Sequence, residues 1–223
     1  MLRAASSLAE WARERGIAHD GAALFLEKNL PVASGIGGGS ADAAATLRGL
    51  AQLWSLQVEK AALAEMAGRL GADVPACLEG SAAMMEGIGE RITPVPELPP
   101  TALLLVNPRI ALATPSVYRQ FREEDVIAPA PRAKPIGPFA DSKALIAALA
   151  ETRNDLERVA LRLCPDIGEV LSALKDSGAD LARMSGSGAT CFALFADPAA
   201  AAVAHASIGG SKRDWWVARS VLQ

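Results

Sequence analysis

Pro31-Val-Ala-Ser-Gly-Ile-Gly-Gly-Gly-Ser-Ala-Asp-Ala-Ala-Ala45 runs from a glycine-dense loop directly into a helix-forming segment. Gly35, Gly37, Gly38 and Gly39 open positive φ to the backbone and let a ligand come close to the main chain, a freedom that weakens any regular element built there. From Ala41 to Leu53 the composition turns helical, and Ala44, Leu47, Ala51 and Trp54 recur at helical spacing, with Leu50 widening the apolar stripe. The loop amides and the positive end of that helix therefore point at one place, which suits an anion, above all phosphate. Ser40, at the helix start, can serve as an N-cap, or touch a phosphate oxygen or Mg²⁺; the roles do not exclude each other.

The common phosphate motifs do not fit this register. A P-loop needs GxxxxGK[ST], and no lysine follows these glycines at the required place. A dinucleotide fingerprint, GxGxxG, started at Gly35 meets Ser40 where its last glycine belongs, and started at Gly37 it meets Asp42. The protein-kinase glycine loop fails the same test, and no HRD or DFG follows. A flexible linker would be longer and more polar than a loop set between an apolar strand candidate and a buried helix.

The rest of the chain narrows the setting. Its 223 residues suffice for one sizeable domain or two small ones. Although 51% of the residues are hydrophobic, no apolar run reaches the roughly 18 to 20 residues of a membrane span. Glu10, Arg13, Glu14 and Arg15 interrupt any secretory apolar core. The expectation is a cytoplasmic protein without a membrane partner. A net charge of -3 with scattered basic residues argues against nucleic acid. Three separate cysteines without a CxxC argue against a disulfide framework or a zinc site.

Taken in order, Ser6 or Ser7 is expected to cap a first helix with Leu8, Trp11 and Ala12 on one face and Gly16 at its end. Ala22 to Leu26 reads as a strand leading through Glu27-Lys28-Asn29 to the loop. Val58 to Leu70 reads as a helix stopped by Gly71, and Asp73-Val-Pro75 as a restart. Ala82 to Glu86 and Ala102 to Val106 read as strands, with a domain boundary between Gly87 and Pro100. Thr114-Pro115 opens a short helix through Phe121, and the proline-rich Ala128 to Pro138 reads as a loop. Helices are expected at Ser142 to Ala150, Asp155 to Leu163 and Ile167 to Ser177. A second glycine-rich turn then lies between apolar extended stretches within Ala182 to Phe195, before a helix at Ala199 to Ser207 and a strand at Trp215 to Val221. His19 and His205 lie in no recognisable constellation. Asp73, in Gly71-Ala-Asp-Val-Pro75, is the better acid–base candidate, although composition alone reads it as a helix cap.

Three of these stretches, PVASGIGGGSADAAA at 31–45, GADVP at 71–75 and MSGSGATCFALF at 184–195, resemble the three signature regions of the GHMP small-molecule kinases. Lys28-Asn-Leu-Pro31, Glu86-Gly-Ile-Gly-Glu90, Thr114-Pro-Ser-Val-Tyr118 and Asn154-Asp-Leu-Glu157 narrow the likeness to the members that act on a diphosphocytidyl methylerythritol. The resemblance implies an α+β, two-domain GHMP kinase fold. Residues 1–90 would form part of a ribosomal-protein-S5-like, ATP-binding N-terminal domain, and 91–223 a C-terminal ferredoxin-like α/β sandwich. It also implies an ATP loop made by Pro31, Val32, Ala33, Ser34, Gly35, Ile36, Gly37, Gly38, Gly39, Ser40 and Ala41. Lys28 would lie near the nucleotide, Ser40 near phosphate and Mg²⁺, Asp73 would be the catalytic aspartate, and Ser185 to Thr190 would stabilise the loop.

The implied reaction moves the γ-phosphoryl of ATP, with Mg²⁺, to the 2-hydroxyl of a small-molecule cytidine diphosphate substrate, 4-diphosphocytidyl-2-C-methyl-D-erythritol, of non-mevalonate isoprenoid synthesis. A monomer or weak homodimer is expected. The likeness begins at about Leu2, so the family's opening strand and hairpin, with a catalytic lysine and substrate-holding asparagine, tyrosine and histidine, have no counterpart in these residues. The resemblance therefore leaves a kinase shown without its N-terminus beside a shortened, inactive nucleotide-binding relative. Another GHMP kinase and a dinucleotide-binding oxidoreductase stand behind both.

Overall fold

Ala4, Leu8 and Ala12 recur every four residues and are wholly buried along α1 (Leu2–Glu14), as an apolar stripe of that period requires. α1 belongs to the first of the two units into which the computed structural model divides, residues 1–28 with 37–95; residues 29–36 with 96–223 form the second. The structure describes residues 1–32, 34–87, 89, 91–123 and 137–223.

In the first unit, α2 (Gly38–Leu53) packs against α1, α3 (Lys60–Leu70) and α4 (Val74–Glu79). Leu8, Leu47, Leu50, Met66 and Val74 share one core. A short hairpin follows, β1 (Ala83–Glu86) antiparallel to β2 (Arg91–Pro94).

Three expectations change here. The first helix starts at Leu2 with no side-chain cap, so Ser6 and Ser7 lie inside it; burial of Ala4 carries the helix past the expected cap. Ala22 to Leu26 forms no strand. A strand needs a neighbour for its backbone groups, no described segment pairs with these residues, and Phe25 stands 87% exposed. Finally, β2 was not foreseen, because four residues ending in proline carry little period-2 signal.

In the second unit, four antiparallel strands lie in the order β4-β5-β3-β6: β3 (Thr101–Asn107), β4 (Leu181–Met184), β5 (Cys191–Phe195) and β6 (Trp216–Leu222). Between β3 and β4 run α5 (Thr114–Glu123), α6 (Ser142–Ala150), α7 (Glu157–Leu163) and α8 (Asp166–Asp176), and α9 (Pro198–Ser211) joins β5 to β6. With α8 and α9 packed on the strands, the chain follows the β-α-β-β-α-β course of a ferredoxin-like sandwich, as expected.

The register sets Ala102, Leu104 and Val106 opposite Phe195, Ala193 and Cys191. Alternate residues share a face, and these six join Leu174 of α8 and Ile208 of α9 in one core. Asp197 caps α9 by accepting the Ala199 amide at 2.8 Å, with Pro198 in the first turn. α7 begins at Glu157, later than the expected Asp155, because Asn154 Oδ1 accepts the Leu156 amide at 3.0 Å and holds a turn there.

Of the proline-rich stretch, residues 128–136 lie outside the described residues. Cys164 and Cys191 are buried free thiols, and Cys77 is a half-buried one. Burial, then Glu157 and Cys164, push the Cys191 thiol up to about 12. Among the described residues no helix is long and apolar enough to cross a membrane.

Candidate active site

In the second unit, Ser34 and Gly35 are fitted against the turn that links β4 to β5. The Thr190 amide donates to the Ser34 carbonyl at 3.1 Å, and the Ser185 hydroxyl donates to the Gly35 carbonyl at 2.9 Å. Gly35 has φ +73, and a methyl group there would stand 2.6 Å from the carbonyl oxygens of both Ser185 and Gly188. Conversely, a methyl at Gly186 would stand 2.9 Å from the Gly35 oxygen. Two glycine turns therefore touch through bare backbone, which only residues without Cβ allow. Ser34 is buried at 7% exposure, so this end of the loop is a packed joint.

The turn has its own supports. Its Ser185 amide donates to the Thr190 carbonyl at 2.9 Å, and the Ser187 hydroxyl pairs with that of Thr114 at 2.8 Å. Asn107, 1% exposed, donates from Nδ2 to Thr190 Oγ1 at 2.8 Å and accepts the Arg109 amide at 2.7 Å. Asn154 and Glu157 reach the turn from the start of α7. Asn154 and Glu157 belong to the Asn154-Asp-Leu-Glu157 stretch, whose family likeness implies no role for either side chain. Asn107 carries no sequence signal, because its bond to Thr190 spans 83 residues.

In the first unit, Gly37 occupies the N-cap position of α2 with φ 69 and ψ 12. A helix leaves its first amides without intrahelical acceptors. Among the described residues the earliest acceptor bond is that of Ala41 to the Gly37 carbonyl, at 2.9 Å, and no side chain caps the end. Methyl groups at Gly37 or Gly39 would meet nothing within 4 Å. The amides of Gly38, Gly39 and Ser40 thus stand at an open, positively polarised end that a large anion can approach. Ser40 is the third residue of α2 and not its cap, a correction that follows from the helix starting earlier than expected. Its hydroxyl has no hydrogen-bond partner among the described residues.

Lys28 Nζ lies 3.1 Å from Asp42 Oδ2, one turn into α2. A half-exposed pair adds little stability, but it holds an ammonium group beside that helix end. Asp73 stands at the N-cap position of α4 without capping it. Its φ of -85 and ψ of -12 are helical, whereas a capping residue is usually extended. The cap expected from composition is therefore not made. The Asp73 carboxylate is exposed, has no hydrogen-bond or ion-pair partner among the described residues, and adds to burial in raising the Cys77 thiol one turn on.

Of the other expected loop residues, Pro31 and Ile36 are half-buried, Val32 is 74% exposed, and Ala33 lies outside the described residues. Gly37 to Ala41, Lys28 and Asp73 fall in the first unit, and Pro31 to Ile36 in the second. His19 stacks on Trp54 with ring centroids 4.1 Å apart.

Comparison with known proteins gives the same family in both parts of the chain. Residues 1–81 match the GHMP kinases N terminal domain and residues 137–210 the GHMP kinases C terminal. The chain is 50% identical over 217 residues, 97% of its length and 70% of the relative's, to the 4-diphosphocytidyl-2-C-methyl-D-erythritol kinase of Sinorhizobium medicae. It is 46% identical to the enzyme of that name from Paramagnetospirillum magneticum, matching 100% of this chain and 75% of that one. The crystal structure of a 4-(cytidine 5'-diphospho)-2C-methyl-D-erythritol kinase, 33% identical, superposes with a TM-score of 0.76 over 99% of this chain and 78% of its own. The chain belongs to the GHMP kinase family, beside the 4-diphosphocytidyl-2-C-methyl-D-erythritol kinases among its relatives.

Proposed function

We propose that this chain transfers the γ-phosphoryl of ATP to the 2-hydroxyl of 4-diphosphocytidyl-2-C-methyl-D-erythritol, a step of non-mevalonate isoprenoid synthesis, and works in the cytoplasm as a monomer or weak homodimer. Residues 1–90 then carry ATP binding and residues 91–223 form the family's C-terminal domain. The observation that carries the reading is the bare amino end of α2, where the first amides lack acceptors among the described residues and a methyl at Gly39 would meet nothing within 4 Å. Identity of 50% to a curated kinase supports the substrate.

Phosphoryl transfer passes through a loose transition state, so the protein contributes mainly alignment and charge stabilisation. In this reading the Gly37 to Ser40 backbone wraps the triphosphate, and Lys28, steered by Asp42, adds positive charge beside it. Asp73 orients the 2-hydroxyl and takes its proton as the oxygen bonds to the γ-phosphorus and ADP leaves. Among the described residues no group of three His, Cys, Asp or Glu could hold a metal ion. A magnesium ion would then be held with oxygens of the triphosphate among its ligands, and the Ser40 hydroxyl, which has no partner among the described residues, would be the chain's contact to it. Bound there, the metal neutralises phosphate charge.

A coupled ADP-release assay with ATP and the cytidylyl substrate tests the reading. Turnover that requires both is expected; ATP binding without ADP release would leave the chain a nucleotide-binding relative. Gly39→Ala tests the cradle. Helical glycine to alanine is worth up to about 1 kcal/mol in favour of the helix, so the melting temperature should hold or rise. ATP affinity should fall by about tenfold or more as the methyl fills the approach to the amides. Unchanged ATP affinity in this variant would remove the cradle from the site.

A further inference from the structure

Among the described residues β4 is an edge strand, and at its last residue side chains take the place of a second strand neighbour. Glu157 Oε2 accepts the Met184 amide at 2.8 Å. Asn154 Nδ2 donates to the Met184 carbonyl at 2.9 Å and to the Gly186 carbonyl at 2.8 Å. Asn154 is itself fixed, since its Oδ1 accepts the Leu156 amide at 3.0 Å. Two side chains three residues apart thus hold the amide and both carbonyls on which the β4–β5 turn starts. That turn holds Ser34 and Gly35 through the Thr190 amide and the Ser185 hydroxyl, and Ile36 alone separates Gly35 from Gly37.

We propose that Asn154 and Glu157 are positioning residues for the nucleotide loop, acting as a side-chain strand partner that sets the 184–190 turn and, through it, the Ser34-Gly35 backbone of that loop. The proposal rests on the ATP-loop reading above. Both residues are only half-buried, so water can replace their hydrogen bonds when they are lost. The fold then survives, but the carbonyl directions that set the turn are no longer imposed. Loss should therefore appear in nucleotide binding far more than in stability.

Asn154→Asp in the full chain isolates the donated bonds. It keeps the acceptor for Leu156, removes both donations, and sets a carboxylate against two carbonyl oxygens. Expected are an ATP dissociation constant and KM for ATP raised by about tenfold or more, with KM for the cytidylyl substrate changed by less than about twofold. The melting temperature should stay within a few degrees of wild type, by the order of shift that about 1 kcal/mol produces. Glu157→Ala should behave alike, and Glu157→Gln, which keeps an accepting oxygen, should restore ATP affinity.

Hydrogen exchange at the Thr190 amide, which donates to Ser34, reads the coupling without ligand and should quicken in Asn154→Asp. Wild-type ATP affinity with unchanged Thr190 exchange in that variant overturns the proposal. So does a loss of ATP binding that merely tracks melting and is matched by an equal rise in KM for the second substrate. If the unsubstituted chain binds no ATP, the functional reading falls and takes this proposal with it; if it binds and Asn154→Asp binds equally, only this proposal falls.

Discussion

Asp73→Asn should abolish measurable phosphoryl transfer and leave the protein folded and able to bind ATP. Removing a positioned general base costs about 10²- to 10⁴-fold in rate, and the amide keeps the size of the carboxylate while losing its basicity. Little else should change. Losing a cap hydrogen bond normally costs about 1 kcal/mol, but Asp73 caps nothing in α4 and is exposed, so the melting temperature should match wild type. ATP affinity should be equal or slightly tighter, since a negative charge leaves the unit that carries the amides of Gly38 to Ser40. Three measurements on one preparation decide it: ADP release, ATP titration and thermal melting. Turnover within tenfold of wild type would remove Asp73 from the chemistry. A joint fall of ATP binding and melting temperature would make it a structural residue after all.

The second unit was the more legible part of the fold, and the reason lies in its sheet. Thr101–Asn107, Cys191–Phe195 and Trp216–Leu222 are apolar runs that find partners within the chain, so period and pairing agree. Ala22 to Leu26 has a similar apolar character without a described partner, and a pattern that names a strand cannot say what it pairs with. The site was legible where chemistry is local. The glycines, Ser40 and Asp73 stand out in composition and register, but their division of labour does not. Gly35 is needed for contact and for φ +73, Gly37 for φ 69 alone, and Gly39 for neither; the contact at Gly35 exists only once the 184–190 turn is folded against it. The supports at Asn107 and Asn154 were hidden for the same reason: side-chain bonds across 83 and 30 residues leave no spacing to read.

Gly35→Ala should have the opposite character to Gly39→Ala, destabilising the second unit and removing ATP binding together. Two costs combine at this residue. A non-glycine residue at φ +73 is strained by about 1–2 kcal/mol, and forcing a methyl into a filled contact costs about 1–3 kcal/mol more. Its nearest atoms, the oxygens of Ser185 and Gly188 at 2.6 Å and the Gly188 nitrogen at 2.8 Å, are all backbone, so no side chain can swing away. Gly188→Ala makes a useful contrast. Its φ of +86 is also strained, but the added methyl would meet Met184 Sδ at 2.8 Å and the ends of Ile167 and Leu112 at 3.3 and 3.4 Å, flexible side chains that can yield. The melting temperatures should therefore rank Gly39→Ala at or above wild type, Gly188→Ala below it, and Gly35→Ala lowest. ATP affinity should be lost in Gly35→Ala even below its melting transition, because the Ser185 and Thr190 bonds to residues 34 and 35 cannot form around the methyl. A Gly35→Ala protein that binds ATP as wild type does would show that the packed joint and the amide cradle are independent.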